Sequence, residues 1–141
     1  MIQPFHLAIP VNDIEETKQF YTSLFDVSIG RESERWVDFN FFGHQLSAHL
    51  KPEETSQATK NRVDGKEVPV RHFGVVLEWT IWHNLAAQLK NHDIDFVIAP
   101  CIRFEGQVGE QATMFFLDPS GNALEFKAFK DMSQLFAKDV G

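Results

Sequence analysis

The chain repeats one structural pattern. Phe5-His6-Leu7-Ala8-Ile9-Pro10-Val11 and Arg71-His72-Phe73-Gly74-Val75-Val76-Leu77 each set a histidine second in a strand-like run, and each run leads into a helical pattern. An internal repeat constrains a fold more than an isolated motif does, because both copies must bury their apolar faces in the same way. Side chains alternate across a strand, so His6 and His72 both point away from their apolar neighbours and occupy matching positions.

In the first half, Asn12-Asp13 can cap a helix, with Glu15 and Glu16 placed for a capping box. Ile14, Phe20, Tyr21, Leu24 and Phe25 recur near helical spacing and predict its buried stripe. Strand patterns follow at Val27–Arg31, Trp36–Phe42 and Gln45–Lys51, with Gly43-His44 as the hairpin turn. Pro52 to Pro69 is charged and poor in large apolar residues, which reads as a flexible connector. The second half predicts strand Arg71–Leu77, helix Ile81–Asn91 with Leu85, Ala86 and Leu89 inward, and strand Asp95–Arg103. A glycine-bearing loop at Phe104–Gly109, strand Thr113–Leu117, a turn at Asp118-Pro119-Ser120-Gly121 and strand Ala123–Phe129 complete it. A short amphipathic tail, Asp131–Lys138, ends the chain. The expected fold is α+β: two tandem βαβββ units, residues 4–51 and 70–129 joined by 52–69, form curved antiparallel sheets around a concave cleft within a single domain, 1–141.

At 141 residues and 43% hydrophobic, the chain is long enough for a sizeable core. A formal charge of −7 argues against a nucleic-acid partner, which would call for clustered Lys and Arg. No apolar run approaches the roughly 20 residues of a membrane helix, and no basic-then-apolar leader precedes the first strand. A lone Cys101 forms no intrachain disulfide, so a cytoplasmic protein is expected. Mid-strand beside Pro100 and without an evident base, Cys101 reads as a buried structural thiol.

Parity along the last strand of each half picks out the residues with chemistry. Leu124, Phe126 and Ala128 form the helix-facing set, which leaves Ala123, Glu125 and Lys127 on the opposite face. In the first half, Leu46, Ala48 and Leu50 face the helix, which leaves Gln45, Ser47 and His49. His6, His49, His72 and Glu125 then make a set of nitrogen and oxygen donors suited to Fe(II), Mn(II), Co(II), Ni(II) or Zn(II) rather than Ca or Mg. Taken singly, a histidine near a strand start is more often a hydrogen-bonded structural residue, and Glu125 fits a solvent-facing position; the paired placement favours ligands. The ungapped repeat sets Ser47, not His49, opposite Glu125, so His49 joins the set only through a bulge or a shift of two residues. His44 reads as a turn residue, and His83 and His92 as outer helix surface. The loop Phe104–Gly109 lacks the Lys-Ser/Thr ending of a phosphate loop and reads as a flexible lid, with Arg103 available to an anionic substrate.

The repeat order, the histidine opening each half and Asp118-Pro119-Ser120-Gly121-Asn122-Ala123-Leu124-Glu125 near the end resemble the vicinal oxygen chelate superfamily over about residues 5–129. That superfamily includes glyoxalase I, extradiol dioxygenases, fosfomycin-resistance proteins, methylmalonyl-CoA epimerase and bleomycin-resistance proteins. The stretches FHLAIPV and HFGVVL look most like its predicted extradiol-dioxygenase branch. The resemblance implies metal ligands at His6, His72 and Glu125, a fourth first-half ligand best matched by His49, a small-molecule substrate and a homodimer. Where glyoxalase I carries an arginine for glutathione, this chain has Pro10.

A metal-dependent enzyme that chelates two adjacent oxygens of its substrate is therefore expected, extradiol-dioxygenase-like with Fe(II), and with Arg103 orienting the anion. A glyoxalase- or epimerase-like lyase or isomerase, with Glu125 shuttling a proton, is the alternative. A third reading is a non-catalytic binder of a drug-like ligand, with Trp36, Phe39, Phe41, Phe104 and Phe115 as walls.

Overall fold

A computed structural model describes residues 2–55, 60–63 and 66–138. The fold is α+β, with two mixed sheets that each carry one long helix. The described residues group into two compact units: those of Met1–Ala58 with Asp118–Asn122, and those of Thr59–Leu117 with Ala123–Gly141.

In the first unit, β1 (His6–Val11), α1 (Ile14–Leu24), β2 (Ser28–Glu32), β3 (Trp36–Phe41) and β4 (His44–Leu50) follow in chain order. The sheet order is β1-β4-β3-β2. The expected antiparallel pairing holds for β2-β3-β4, while β1 runs parallel to β4 and makes the sheet mixed. Asp13 caps α1 by accepting from the Glu16 amide at 2.8 Å. Ile14, Thr17, Tyr21 and Leu24 are its buried residues, so Thr17 takes a core place and Phe20 is only half-buried. Val37, Phe39, Phe41, Leu46 and Ala48 are buried on the helix side, with the Tyr21 ring 5.3 Å from Phe39. The β3–β4 turn is Phe42-Gly43 rather than Gly43-His44: both have positive φ, 55° and 87°, as a two-residue primed hairpin requires. His44 instead opens β4 and accepts the Phe5 amide at Nδ1, 2.7 Å.

The turn Asp118–Asn122 belongs to this unit. Asp118 Oδ1 accepts the Ser120 and Asn122 amides at 2.9 and 2.8 Å, and Oδ2 accepts Tyr21 Oη at 2.9 Å and Asn122 Nδ2 at 3.0 Å. Ser120 Oγ accepts the Asn12 amide, and Asn122 Nδ2 also donates to the Pro10 carbonyl, both at 2.8 Å. Gly121 supplies the left-handed residue, φ 84°. Burial raises the Asp118 carboxyl above its ordinary value, although bonds from Asn122 and Tyr21 oppose the shift. Burial, then the Asp118 charge, raises Tyr21 well above 10.0.

The second unit runs β5 (Lys60–Val63), β6 (Lys66–Pro69), β7 (His72–Phe73), β8 (Val76–Leu77), α2 (Trp79–Lys90), β9 (Phe96–Arg103), β10 (Gln111–Leu117) and β11 (Ala123–Phe129). β9-β10-β11 is antiparallel, and β7 and β8 pair with β11 in parallel. Part of the stretch read as a connector is regular: β5 and β6 form an antiparallel hairpin, and Val68 is buried with Ile98, Phe115 and Ala123. The expected strand Arg71–Leu77 is interrupted at Gly74, where a methyl group would overlap the Glu125 carbonyl. Trp82, Leu85, Ala86 and Leu89 are buried on α2, and Trp82 Nε1 donates to the Phe126 carbonyl at 2.8 Å. Leu124, Phe126 and Ala128 are buried as parity predicts. β9 shifts register between Cys101 and Ile98, beside Pro100, which cannot donate to a ladder. Cys101 is exposed, contrary to the buried thiol expected, and lies just beyond this shift, paired with Thr113. The tail carries one short 3₁₀ turn, Met132–Gln134.

Two substitutions test this packing. Tyr21→Phe should cost about 1–3 kcal/mol in denaturant unfolding at pH 7, since a buried carboxylate loses a donor. A phenol raised on folding stabilises below its unfolded value, and that stability is lost as pH rises through the folded value. The difference between wild type and Tyr21→Phe should therefore hold up to about pH 10 and shrink as pH rises further. Gly74→Ala should cost about 3 kcal/mol or more, because backbone must move, and should change Trp82 fluorescence.

Candidate metal centre

The second unit brings two of the expected ligands together. His72 Nδ1 lies 2.8 Å from the Pro69 carbonyl, which can only accept, so Nδ1 carries a proton and Nε2 is the nitrogen that can present a lone pair to a metal. Nε2 lies 3.5 Å from Glu125 Oε1. The other carboxylate oxygen, Oε2, accepts from Thr113 Oγ1 at 2.7 Å. The His72 ring rests edge-on against Phe115, centroids 4.8 Å apart. Both side chains are partly open, 34% and 22% exposed, so they are reachable yet fixed. Each donor atom is oriented by a bond made through its partner atom, the arrangement that metal-ligating imidazoles and carboxylates use. A neutral imidazole nitrogen beside a carboxylate oxygen fits a divalent transition ion.

Gly74 explains how the local sequence sets this up. Without a side chain there, the backbone between β7 and β8 lies against the main chain of Glu125. Pairing then sets Ala123 beside His72, with Glu125 two residues further on the same face.

In the first unit, His6 pairs with Gln45 on β4, and His49 pairs with Pro10 and Trp36. Both histidines are exposed on the sheet face opposite α1. The register sets Ser47, not His49, at the counterpart of Glu125. The same face carries Asp38, whose Oδ1 accepts from Ser47 Oγ at 2.6 Å and whose Oδ2 accepts from Gln45 Nε2 at 3.2 Å. Among the described residues, no three His, Cys, Asp or Glu side chains are gathered into one cluster.

Arg103 ends β9, paired with Gln111, with its guanidinium 5.1 Å from the Phe104 ring centroid. Gln111, Thr113 and Phe115 occupy one face of β10, so Arg103 sits two rows from the pair Phe115–Glu125. The following loop is tied by its own bonds: Gly106 N to Glu110 Oε1 at 3.0 Å, Gln107 N to the Phe104 carbonyl at 3.0 Å and Glu110 N to the Gln107 carbonyl at 3.2 Å. A cleft of about 350 Å³ lies between this loop and Lys130, Asp131 and Gln134, and none of the expected ligands lines it. His83 is exposed on α2 against Trp79 and Trp82, and His92 is exposed past its end.

Sequence reasoning missed Thr113, the Pro69 carbonyl and Asp38. Asp38 was within reach, since Trp36, Asp38 and Asn40 alternate with Val37, Phe39 and Phe41. Thr113 and Pro69 had no such signal, because their roles depend on cross-strand register.

No curated protein matches the sequence. A glyoxalase/bleomycin resistance protein/dioxygenase from Alicyclobacillus acidocaldarius shares 32% identity and a TM-score of 0.76, over 95% of this chain and 96% of its own. The fold is also that of the fosfomycin resistance protein FosX from Listeria monocytogenes, at 15% identity, TM-score 0.70 and coverage of 95% and 98%. Lactoylglutathione lyase from Agrobacterium tumefaciens shares it at 16% identity, TM-score 0.63 and coverage of 96% and 97%. Members of the superfamily bind small-molecule substrates and typically use divalent metals. No described helix is long and apolar enough to cross a membrane. The pattern of the Glyoxalase/Bleomycin resistance protein/Dioxygenase superfamily matches residues 3–126, and the chain belongs to that superfamily.

Proposed function

We propose that the chain is a metal-dependent enzyme that binds a small substrate through two adjacent oxygens, with extradiol-dioxygenase-like chemistry. The observation that carries this reading is the His72–Glu125 pair, 3.5 Å apart and oriented through Pro69 and Thr113. His72 and Glu125 hold the ion, together with His6, the repeat counterpart of His72. His49 is the fourth donor. A divalent ion supplies positive charge to neighbouring substrate oxygens, and Fe(II) supplies in addition the electron that dioxygen chemistry needs. The protein's own part is to fix the donor atoms, and Arg103 orients an anionic substrate through charge-assisted hydrogen bonds. The place of Arg103 beside Gln111, two rows from the pair Phe115–Glu125, supports that role.

Protein purified without chelator, or reloaded anaerobically with Fe(II), should hold close to one transition ion per chain. His72→Ala and Glu125→Ala should each lower metal content at least tenfold, since one ligand and its oriented partner are lost. Unchanged content in both variants would refute the ligand assignment. His49→Ala, measured alongside, should lower the metal content less.

Iron-loaded protein should consume oxygen with a member of a catechol panel. Arg103→Ala should then raise KM about tenfold or more for anionic substrates while metal content stays constant. Silence across the panel with iron bound would shift the reaction to the lyase and isomerase group.

A further inference from the structure

The β5–β6 hairpin reaches His72 through two adjacent residues. Val68, 2% exposed, is buried with Ile98, Phe115 and Ala123. Those three share the sheet face of Glu125: Ala123 pairs with His72 and stands two residues before Glu125, and Phe115 pairs with both Glu125 and Ile98. The Phe115 ring in turn meets the His72 ring edge-on, centroids 4.8 Å apart. The next residue, Pro69, is buried as well, and its carbonyl accepts from His72 Nδ1 at 2.8 Å. One strand end therefore supplies both a packing contact to the ring that braces the imidazole and the acceptor that orients it. The ring of Pro69 fixes φ, which removes one torsion between the Val68 anchor and that carbonyl. Pairing of Lys60 with Pro69 and of Asn61 with Val68 makes β5 move with β6.

We propose that Val68 is a positioning residue of the candidate metal centre, and that docking of the hairpin and binding of an ion at His72 strengthen each other. The proposal rests on the metal-dependent reading above. Of its ligands it uses only His72 and Glu125, which lie in the same compact unit as the hairpin. With Val68 seated, the Pro69 carbonyl holds Nδ1, and Nε2 stands 3.5 Å from Glu125 Oε1. With Val68 out of its cluster, that acceptor leaves and the imidazole regains rotation, so binding an ion then costs the ordering of the ring. An ion on Nε2 withdraws charge from the ring and makes Nδ1–H a stronger donor, which holds Pro69, and with it Val68, more tightly. Linkage makes the two effects equal: the factor by which docking raises metal affinity is the factor by which metal favours docking. Val68 acts through Pro69 and Phe115 rather than on the ion itself.

The test uses the full chain with zinc and trypsin, which cuts after Lys60, Arg62 and Lys66. Cleavage there tracks the undocked population when docking is fast relative to cutting. Saturating zinc should slow it about tenfold in wild type, with products assigned by mass and trypsin's own rate in zinc set by a peptide substrate. Val68→Asn puts an amide into the apolar cluster and undocks the hairpin. It should speed cleavage and weaken zinc binding about tenfold, measured by competition with a chromophoric chelator. Val68→Ile keeps the apolar anchor and should keep both properties near wild type. Faster cleavage of Val68→Asn with unchanged zinc affinity would mark a merely structural anchor and overturn the proposal. Equal cleavage of wild type with and without bound zinc would overturn it too, and that measurement decides should Val68→Asn fail to fold. Wild type that holds no zinc, or zinc retained in full by both His72→Ala and Glu125→Ala, removes the metal-dependent reading and the proposal with it. Zinc held through His72 with cleavage unchanged removes the proposal alone.

Discussion

The two-residue period of the last strand in each unit governs most of this structure. On β11, Leu124, Phe126 and Ala128 are buried on the helix side, while Glu125 and Lys127 stay on the other. On β4, Leu46 and Ala48 are buried on the helix side and Gln45 and His49 are exposed on the other. A one-residue slip would drive charges into the core and expose every core side chain, a loss far beyond the few kcal/mol by which domains are stable. The apolar set therefore fixes which polar groups reach the open face, and candidate ligands need no separate device to point there.

Two carboxylates illustrate how setting divides structural from chemical roles. Asp118 is buried and spends both oxygens on donors from its own turn and from Tyr21. Burial pushes its proton affinity up, yet its bonds leave little for a ligand. Glu125 is partly open, with one oxygen held by Thr113 and the other toward an imidazole nitrogen. The same functional group serves as a turn's central acceptor in one place and as a candidate metal donor in the other.

Much of this was legible in the residues. The order of elements, both helices, the inward residues Leu85, Ala86 and Leu89 and the strand Ala123–Phe129 all follow from periodicity. The errors were local and have physical causes. Phe42 at positive φ moved a turn by one residue, since aromatic residues seldom carry that signal. Val68, the lone large apolar residue near the end of a charged stretch, found a core partner in Phe115 and Ile98 and so anchored a hairpin. The register shift beside Pro100 accompanied an exposed Cys101.

Alternation and short motifs along the chain were enough to give the doubled βαβββ order, the faces of the two sheets on which His6 and His49, and His72 and Glu125, lie, and the superfamily. Tertiary structure decided what those residues touch. Pro69 and Thr113 orient His72 and Glu125, Asp38 meets Ser47, and Gly74 opens room for the Glu125 backbone. Those contacts depend on strand register and on partners up to dozens of residues away, and neither is encoded in the local periodicity of one chain segment.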